Sequence, residues 1–491
     1  MDDQILQFKI GSESVAQPPL LSMQPAAQLI TVYHFPTTLM ASRLLRLLLL
    51  LATLLNFSFG RDFNVTRSRK AIEIGIGIGI GIGTGSGCSN GDITRECFQN
   101  DRLYNAYLVI QRFKSTITCD PQGITDTWSG TDICGKNSYV GFYCTTPPGL
   151  VNTPTVASVD FNGYRLAAPT VCGFVDQLTD LALFHANSNN FSGTVPNLRG
   201  LQYIYELDLS NNKLTGNFPA DVLSLNNATF LDIRFNGYVG PVPAQVFKLS
   251  MLQVLFLNNN NFTGQLPAEL GFTPAQYLTL ANNKFTGPIP SSIVHAANTL
   301  LEVLFLNNQL SGCLPFEIGL LKKATVFDAG TNLLTGPIPL SFGCLKKIEQ
   351  LNLADNKLYG EVPDVLCRLG IPGAGNLMNL SLSDNYFTSL GHSCWILLKK
   401  GVLDVRKNCI PGVLDQRSPE ECKWFLWQKK YCPLNTYIPC QSPWPEGADQ
   451  LNSKGAAAAA AEAMPVADGA RDRSRASGYT TYSALHQNPK P

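Results

Sequence analysis

The sequence predicts a solenoid of the α/β class: stacked coils with short parallel strands along a concave face, closed at each end by disulfide-stapled caps. Three observations predict it. Asparagine recurs at Asn189, Asn212, Asn236, Asn260, Asn283, Asn308, Asn332 and Asn356, 23 to 25 residues apart. Each of these is followed by a glycine at one fixed offset, Gly193, Gly216, Gly240, Gly264, Gly287, Gly312, Gly336 and Gly360. The fourteen cysteines fall on the two flanks, Cys88 to Cys172 and Cys313 to Cys440.

The repeat carries a mechanical reason at every position. Its full form is seen at Leu252 to Pro267, LQVLFLNNNNFTGQLP. Leu-x-Leu alternation makes a short strand with both leucines inward, and stacking the coils pairs these strands into one parallel sheet. The asparagine sits where the chain turns inward, so its amide is placed to satisfy backbone groups that the turn leaves unpaired. The glycine permits a tight bend, and the proline that follows suits an extended stretch needing no ladder donor. Weaker copies at Val156 to Leu166, with Tyr164 in the asparagine position, and at Asn385 and Asn408 bring the array to about eleven coils over 149–411. In one coil, Leu304-Phe-Leu306, the strand lies a residue nearer its asparagine, so either the coil is shortened or its core pair becomes Val303 and Phe305.

The flanks are read in order. Residues 1–39 have neither signal nor domain character, and the working start is expected at Met40. Residues 40–60 read as a secretory signal: Arg43 and Arg46, an apolar run from Leu47 to Phe59, then Ser58-Phe-Gly60 as the cleavage site. At about 16 residues the run is short for a membrane span, and no other segment qualifies, so a transmembrane segment is not expected. Residues 61–97 form a low-complexity linker whose Ile-Gly alternation from Ile74 to Gly83 never produces a dinucleotide-binding fingerprint. A helical period begins at Phe98, with Leu103, Tyr107, Ile110 and Lys114 along a mainly apolar face, and residues 98–148 read as an N-terminal cap. Residues 412–440 are a cysteine-rich C-terminal segment, and 441–491 a disordered tail with alanines at Ala456 to Ala461.

Composition narrows the function classes. With 45% hydrophobic residues, 15% charged residues and a net charge of +1, the chain lacks the basic footprint of a nucleic-acid binder. So many cysteines fit an oxidising compartment, and none has the spacing of a zinc site. The disulfide candidates are Cys119, Cys134, Cys144, Cys172, Cys394, Cys409, Cys422 and Cys432, with Cys134–Cys144 and Cys409–Cys422 the expected pairs. Asn64, Asn190, Asn227, Asn261 and Asn379 are N-glycosylation sequons. Neither a metal nor another cofactor is expected.

Glycine followed by Ile-Pro or Val-Pro in the coils makes the array resemble plant-type leucine-rich-repeat horseshoes. Four stretches narrow the resemblance: Tyr107 to Pro121, Val156 to Asn190, Glu302 to Pro315, and Asn408 to Cys422. These are similar to the leucine-rich repeat extensin family, over roughly residues 98–440. The resemblance implies a secreted protein of the plant cell wall whose repeats bind rapid alkalinization factor peptides, which are small, basic and cysteine-rich. The family's serine-proline tail has no counterpart beyond Ser442-Pro-Trp-Pro445, which points to the tail-less subset.

A ligand would meet the residues between the inward pairs: Asp160, His185, Asp208, Asp232, Phe256, Thr279, Phe305, Asp328, Asn352, Ser381 and Asp404, with Glu206, Phe230 and Tyr277 beside them. Carboxylates toward both ends and rings in the middle would suit a basic peptide, although aspartate at this position also simply solvates the sheet. The enzymatic reading is poor. His185 has Asp160 and Asp208 near it but no nucleophile, and paired Asp208 and Asp232 would have no cleft. The alternatives to a peptide binder are an inhibitor of pectin-degrading enzymes and a structural wall component. Further candidate partners are a wall protein, a wall polysaccharide and a second copy of the chain.

Overall fold

The computed structural model describes Cys88, residues 93–428, Tyr431, Cys432 and Cys440, all within the compact unit Arg67–Pro491. The upstream stretch, the signal, most of the linker, Asn64 and the tail lie outside the described residues.

Two sheets run the length of the solenoid. The concave sheet has twelve strands, of which the first, Phe142–Thr145, pairs antiparallel with Thr155–Asp160. From there the strands are parallel and in chain order: Leu183–His185, Glu206–Asp208, Phe230–Asp232, Val254–Phe256, Tyr277–Thr279, Glu302–Leu304, Val326–Asp328, Gln350–Asn352, Asn379–Ser381 and Leu403–Asp404. A second sheet of nine short strands, from Ser192–Gly193 to Tyr386–Leu390, flanks it. Each central coil then passes through a one-turn 3-10 helix preceded by proline, as at Pro267 before Ala268–Phe272. The fixed φ of proline presets that entry, and no ladder bond is lost there.

Between the sheets lies one continuous core in which Leu207, Leu231, Leu255 and Leu278 stack coil on coil, each nearly inaccessible. The asparagines lock the coils together. Asn283 Nδ2 donates to the carbonyls of Leu257, Leu280 and Ala281 at 3.0 to 3.2 Å, and its Oδ1 accepts from Phe262 N at 3.0 Å. One amide therefore satisfies backbone groups of two successive coils. The residue before each asparagine is left-handed, with φ +57° at Asn259 and +52° at Phe235. Asn and Asp fill most of these positions because they tolerate that region, a signal available in the sequence but not used.

The irregular coil is resolved by register. Val303 pairs with Leu278 and Phe327, so Val303 and Phe305 are the core pair and both are fully buried. Phe305 is thus no part of the concave surface, and Leu304 takes its place. A one-residue difference in a strand exchanges its two faces.

The N-terminal cap is built on the helix Asp101–Lys114, capped by Asn100, whose side chain accepts from Leu103 N at 3.0 Å. Its buried face is Leu103, Ala106, Val109, Ile110 and Phe113, so Lys114 is not on it; Lys114 Nζ donates to Trp128 O. Phe113 stacks on Phe174 of the array at 3.9 Å between centroids, and Trp128 is wholly buried with its Nε1 donating to Val140 O. Rings from cap and array thereby seal the first coil.

Six disulfides are formed among the described residues. Cys134–Cys144 closes the cap and Cys409–Cys422 the end of the array. The other candidates need correction. Cys394 bonds to Cys367 in the preceding coil rather than to the C-terminal segment, and Cys432 and Cys440 reach back to Cys313 and Cys344. Parallel stacking brings positions about a hundred residues apart to one flank, which sequence spacing cannot reveal. Cys119 and Cys172 are exposed free thiols: Cys119 is held in a backbone bridge to Ala167, and Cys172 Sγ lies 3.6 Å from Thr194 O. Cys88–Cys97 completes the set.

Candidate ligand-binding face

Strict register places the concave residues in rows. One row runs through Asp160, His185, Asp208, Asp232, Phe256, Thr279, Leu304, Asp328, Asn352, Ser381 and Asp404; the row beside it holds Glu206, Phe230, Tyr277, Gln350 and Asn379. Adjacent members are one strand spacing apart, about 4.8 Å.

At the N-terminal end the carboxylates are available. Asp208 accepts from Ser210 N and Oγ at 2.9 and 2.6 Å, Asp160 accepts from Asn162 N, and all these bonds leave one oxygen of each carboxylate open. His185 Nε2 lies 2.8 Å from Glu206 Oε2. Burial works against the charged imidazole of His185, but the hydrogen bond and charge of Glu206, with Asp208 and Asp160 nearby, raise its pKa.

The middle differs from expectation. Asp232 is fully buried, so it presents no carboxylate to a ligand. Arg234 Nε lies 3.0 Å from Asp232 Oδ2, off the line of a hydrogen bond, and the guanidinium also covers the Phe256 ring at 5.0 Å. Desolvation outweighs Arg234 and pushes Asp232 up to about 8, with Asp208 adding to the rise. Phe230 meets Phe256 edge to face at 6.0 Å, and Tyr277 stands half-buried one strand beyond Val254. Asn258 Oδ1 and Thr279 Oγ1 are buried here without a hydrogen-bond partner.

Toward the C-terminal end the acids are occupied. Asp328 is buried and accepts from Gly330 N at 2.9 Å; burial pushes it up to about 6. Asp404 is engaged by Arg406 through two bonds of 3.0 and 2.8 Å, and hydrogen bonding from Arg406 lowers its pKa. Lys407 Nζ sits 3.2 Å from Asp384. The acids expected at the C-terminal end, Asp328 and Asp404, are therefore buried or paired rather than available. Arg234 and Arg406, two residues beyond their aspartates, were missed, although strand alternation puts them on the same face.

Among the described residues no group of three His, Cys, Asp or Glu is placed to hold a metal ion, and no helix is long and apolar enough to cross a membrane. Asp208 and Asp232 do stand opposite each other, but with Asp232 buried they cannot act as a pair on a substrate.

The repeated coil, its asparagine ladder and its capped ends define a leucine-rich-repeat solenoid. The family model for the leucine rich repeat matches residues 203–225, 251–272 and 275–296. The leucine-rich repeat extensin-like proteins of Arabidopsis thaliana are homologues of this chain. Leucine-rich repeat extensin-like protein 6 is 44% identical over 238 residues, 48% of this chain and 49% of the relative. Leucine-rich repeat extensin-like protein 1 is 41% identical over 114 residues, 23% of this chain and only 15% of the relative. The matched region thus spans at most about half the length of these two relatives. Among solved structures, a plant peptide hormone receptor in complex with RGF2 aligns with 25% identity and a TM-score of 0.44, covering 48% of this chain and 37% of that one. A plant ice-binding protein aligns with 22% identity and a TM-score of 0.49, covering 58% and 87%.

Proposed function

We propose that this chain is a secreted, wall-resident binding protein without a catalytic centre, and that its concave face takes a basic, cysteine-rich peptide of the rapid alkalinization factor type. One observation carries the reading: the open carboxylate oxygens of Asp160 and Asp208, with Glu206 hydrogen-bonded to His185 beside them, lie in register with the rings of Phe230, Phe256 and Tyr277. Carboxylates give a basic ligand charge-assisted hydrogen bonds and steer its approach. Aromatic rings supply anchoring area at small entropic cost. The extensin-like homologues support a wall location, and the disulfides support an oxidising compartment.

Titration of the secreted protein with a basic, disulfide-folded peptide of this class tests the reading. Replacing Glu206→Gln and Asp208→Asn together should weaken binding by about tenfold or more and flatten its salt dependence. Phe256→Ala should remove about 2 kcal/mol. Binding that survives replacement of Glu206, Asp208 and Phe256 together would refute the concave-face site. Inhibition of a fungal polygalacturonase by the purified protein would instead favour the pectinase-inhibitor alternative.

A further inference from the structure

The sequons differ in what they face. Asn190 follows ladder residue Asn189, and Asn261 opens a strand of the second sheet, Asn261–Gln265. Asn227 donates from Nδ2 to Gln202 O in the coil before it. Asn379 is different: it opens the strand Asn379–Ser381 of the concave sheet and pairs with Gln350. Leu380 between the sequon residues is fully buried, so alternation turns Asn379 and Ser381 outward on the concave side. Asn379 is exposed, its Oδ1 accepts from Ser381 Oγ at 3.2 Å, and among the described residues Nδ2 has no acceptor. Its row neighbour Gln350 and the adjoining Asn352 and Ser381 are uncharged, and the next acid, Asp404, is held by Arg406. This end of the face offers a basic ligand neither free charge nor an aromatic anchor, and it offers a bulky polar group open space.

We propose that Asn379 carries an N-linked glycan that stands on the concave face and screens the strands Gln350–Asn352, Asn379–Ser381 and Leu403–Asp404, confining a protein partner to the N-terminal strands. Attachment rests on secretion; the confinement of a partner rests on the peptide reading above. The amide nitrogen of Asn379 displaces lipid pyrophosphate from the anomeric carbon of a lipid-linked oligosaccharide. A C–N bond forms, a C–O bond breaks, and the nitrogen's lost proton balances the released pyrophosphate. The glycan adds hydrated bulk just where Gln350 and Ser381 would otherwise be open to a macromolecule.

The test uses the full chain secreted from plant cells. Mass spectrometry of glycopeptides should find Asn379 modified as the dominant species; a dominant unmodified peptide overturns the assignment. Screening is read separately, with a thiol introduced by Gln350→Cys, or by Asn352→Cys if the first variant is not secreted. Adding Asn379→Gln or Ser381→Ala should speed reaction of that thiol with a polymer-linked maleimide severalfold and leave a small maleimide unaffected. Ser381→Thr keeps the sequon and should keep the slow rate. Equal polymer rates with and without the sequon overturn the screen. None of these readouts involves peptide, so failure of peptide binding is distinguishable from failure of the glycan proposal.

Discussion

Asn260 illustrates what a single ladder residue holds. Its Oδ1 accepts from Tyr238 N at 3.1 Å, and Nδ2 donates to Ile233 O and Leu257 O at 3.0 and 3.1 Å. Asn260→Ala strands the buried N–H of Tyr238 and removes the donor to two carbonyls, which should cost about 2–3 kcal/mol and lower the urea midpoint accordingly. Asp232 makes a prediction of another kind. Its folded pKa of about 8 lies above the unfolded value near 3.9, so the folded chain binds the proton more tightly. Its contribution to stability should therefore be greatest below about pH 4, fall as pH rises through the interval, and level off above about pH 8. Asp328, raised to about 6, adds a slope of the same sign over the lower part, and His185, also raised, adds one as it deprotonates. Asp232→Asn, compared with wild type at each pH, should gain more stability at about pH 8 than at about pH 5; a pH-independent difference would show that Asp232 stays ionised when folded.

Elements were legible where local chemistry made them. Leu-x-Leu fixed the inward pair in most coils because strand alternation is a property of the chain itself, and Gly264, at φ +87°, marks a bend that other residues rarely adopt. For the coil at Leu304 two frames were locally equal and stayed open, and only pairing with Leu278 and Phe327 selected the one with Val303 and Phe305 inward. The reading failed for the C-terminal segment. There Gly336 matters for a reason invisible locally: a Cβ at that position would meet Cys432 Sγ at 2.5 Å. The strap from Cys432 to Cys313 encloses 119 residues, and closing a loop of that size should contribute about 5 kcal/mol. Replacing both cysteines with serine should loosen the segment between Cys422 and Cys440, which stays tied at each end, seen as earlier proteolysis at residues 428–432, while the cysteine-free central coils keep their hydrogen-exchange protection. Unchanged proteolysis would mean that the segment is held by other contacts, among them Phe425 stacked on Tyr386 at 3.4 Å.

Outside the C-terminal strap the solenoid is quasi-one-dimensional, since each coil touches its neighbours and little else. Deleting residues 237–260 removes one complete coil with no cysteine and joins two coils in phase. That variant should be secreted with an unaltered far-ultraviolet spectrum per residue, whereas deleting the cap residues 98–148 should abolish secretion, because Phe142, Phe161 and Phe174 would meet water or be lost. A coil deletion that unfolds the protein would show long-range coupling instead. By itself the sequence determined the coil, its period and the concave rows in every coil but that of Leu304, because glycine, asparagine and alternating leucine act within one coil or on the next. The tertiary structure decided which of those row residues a ligand can meet. Burial withdrew Asp232 and Asp328, Arg406 claimed Asp404, His185 engaged Glu206, and Asp160 and Asp208 were each left with an open oxygen. Accessibility and charge pairing depend on what neighbouring strands bring alongside, and that is set only when the coils stack.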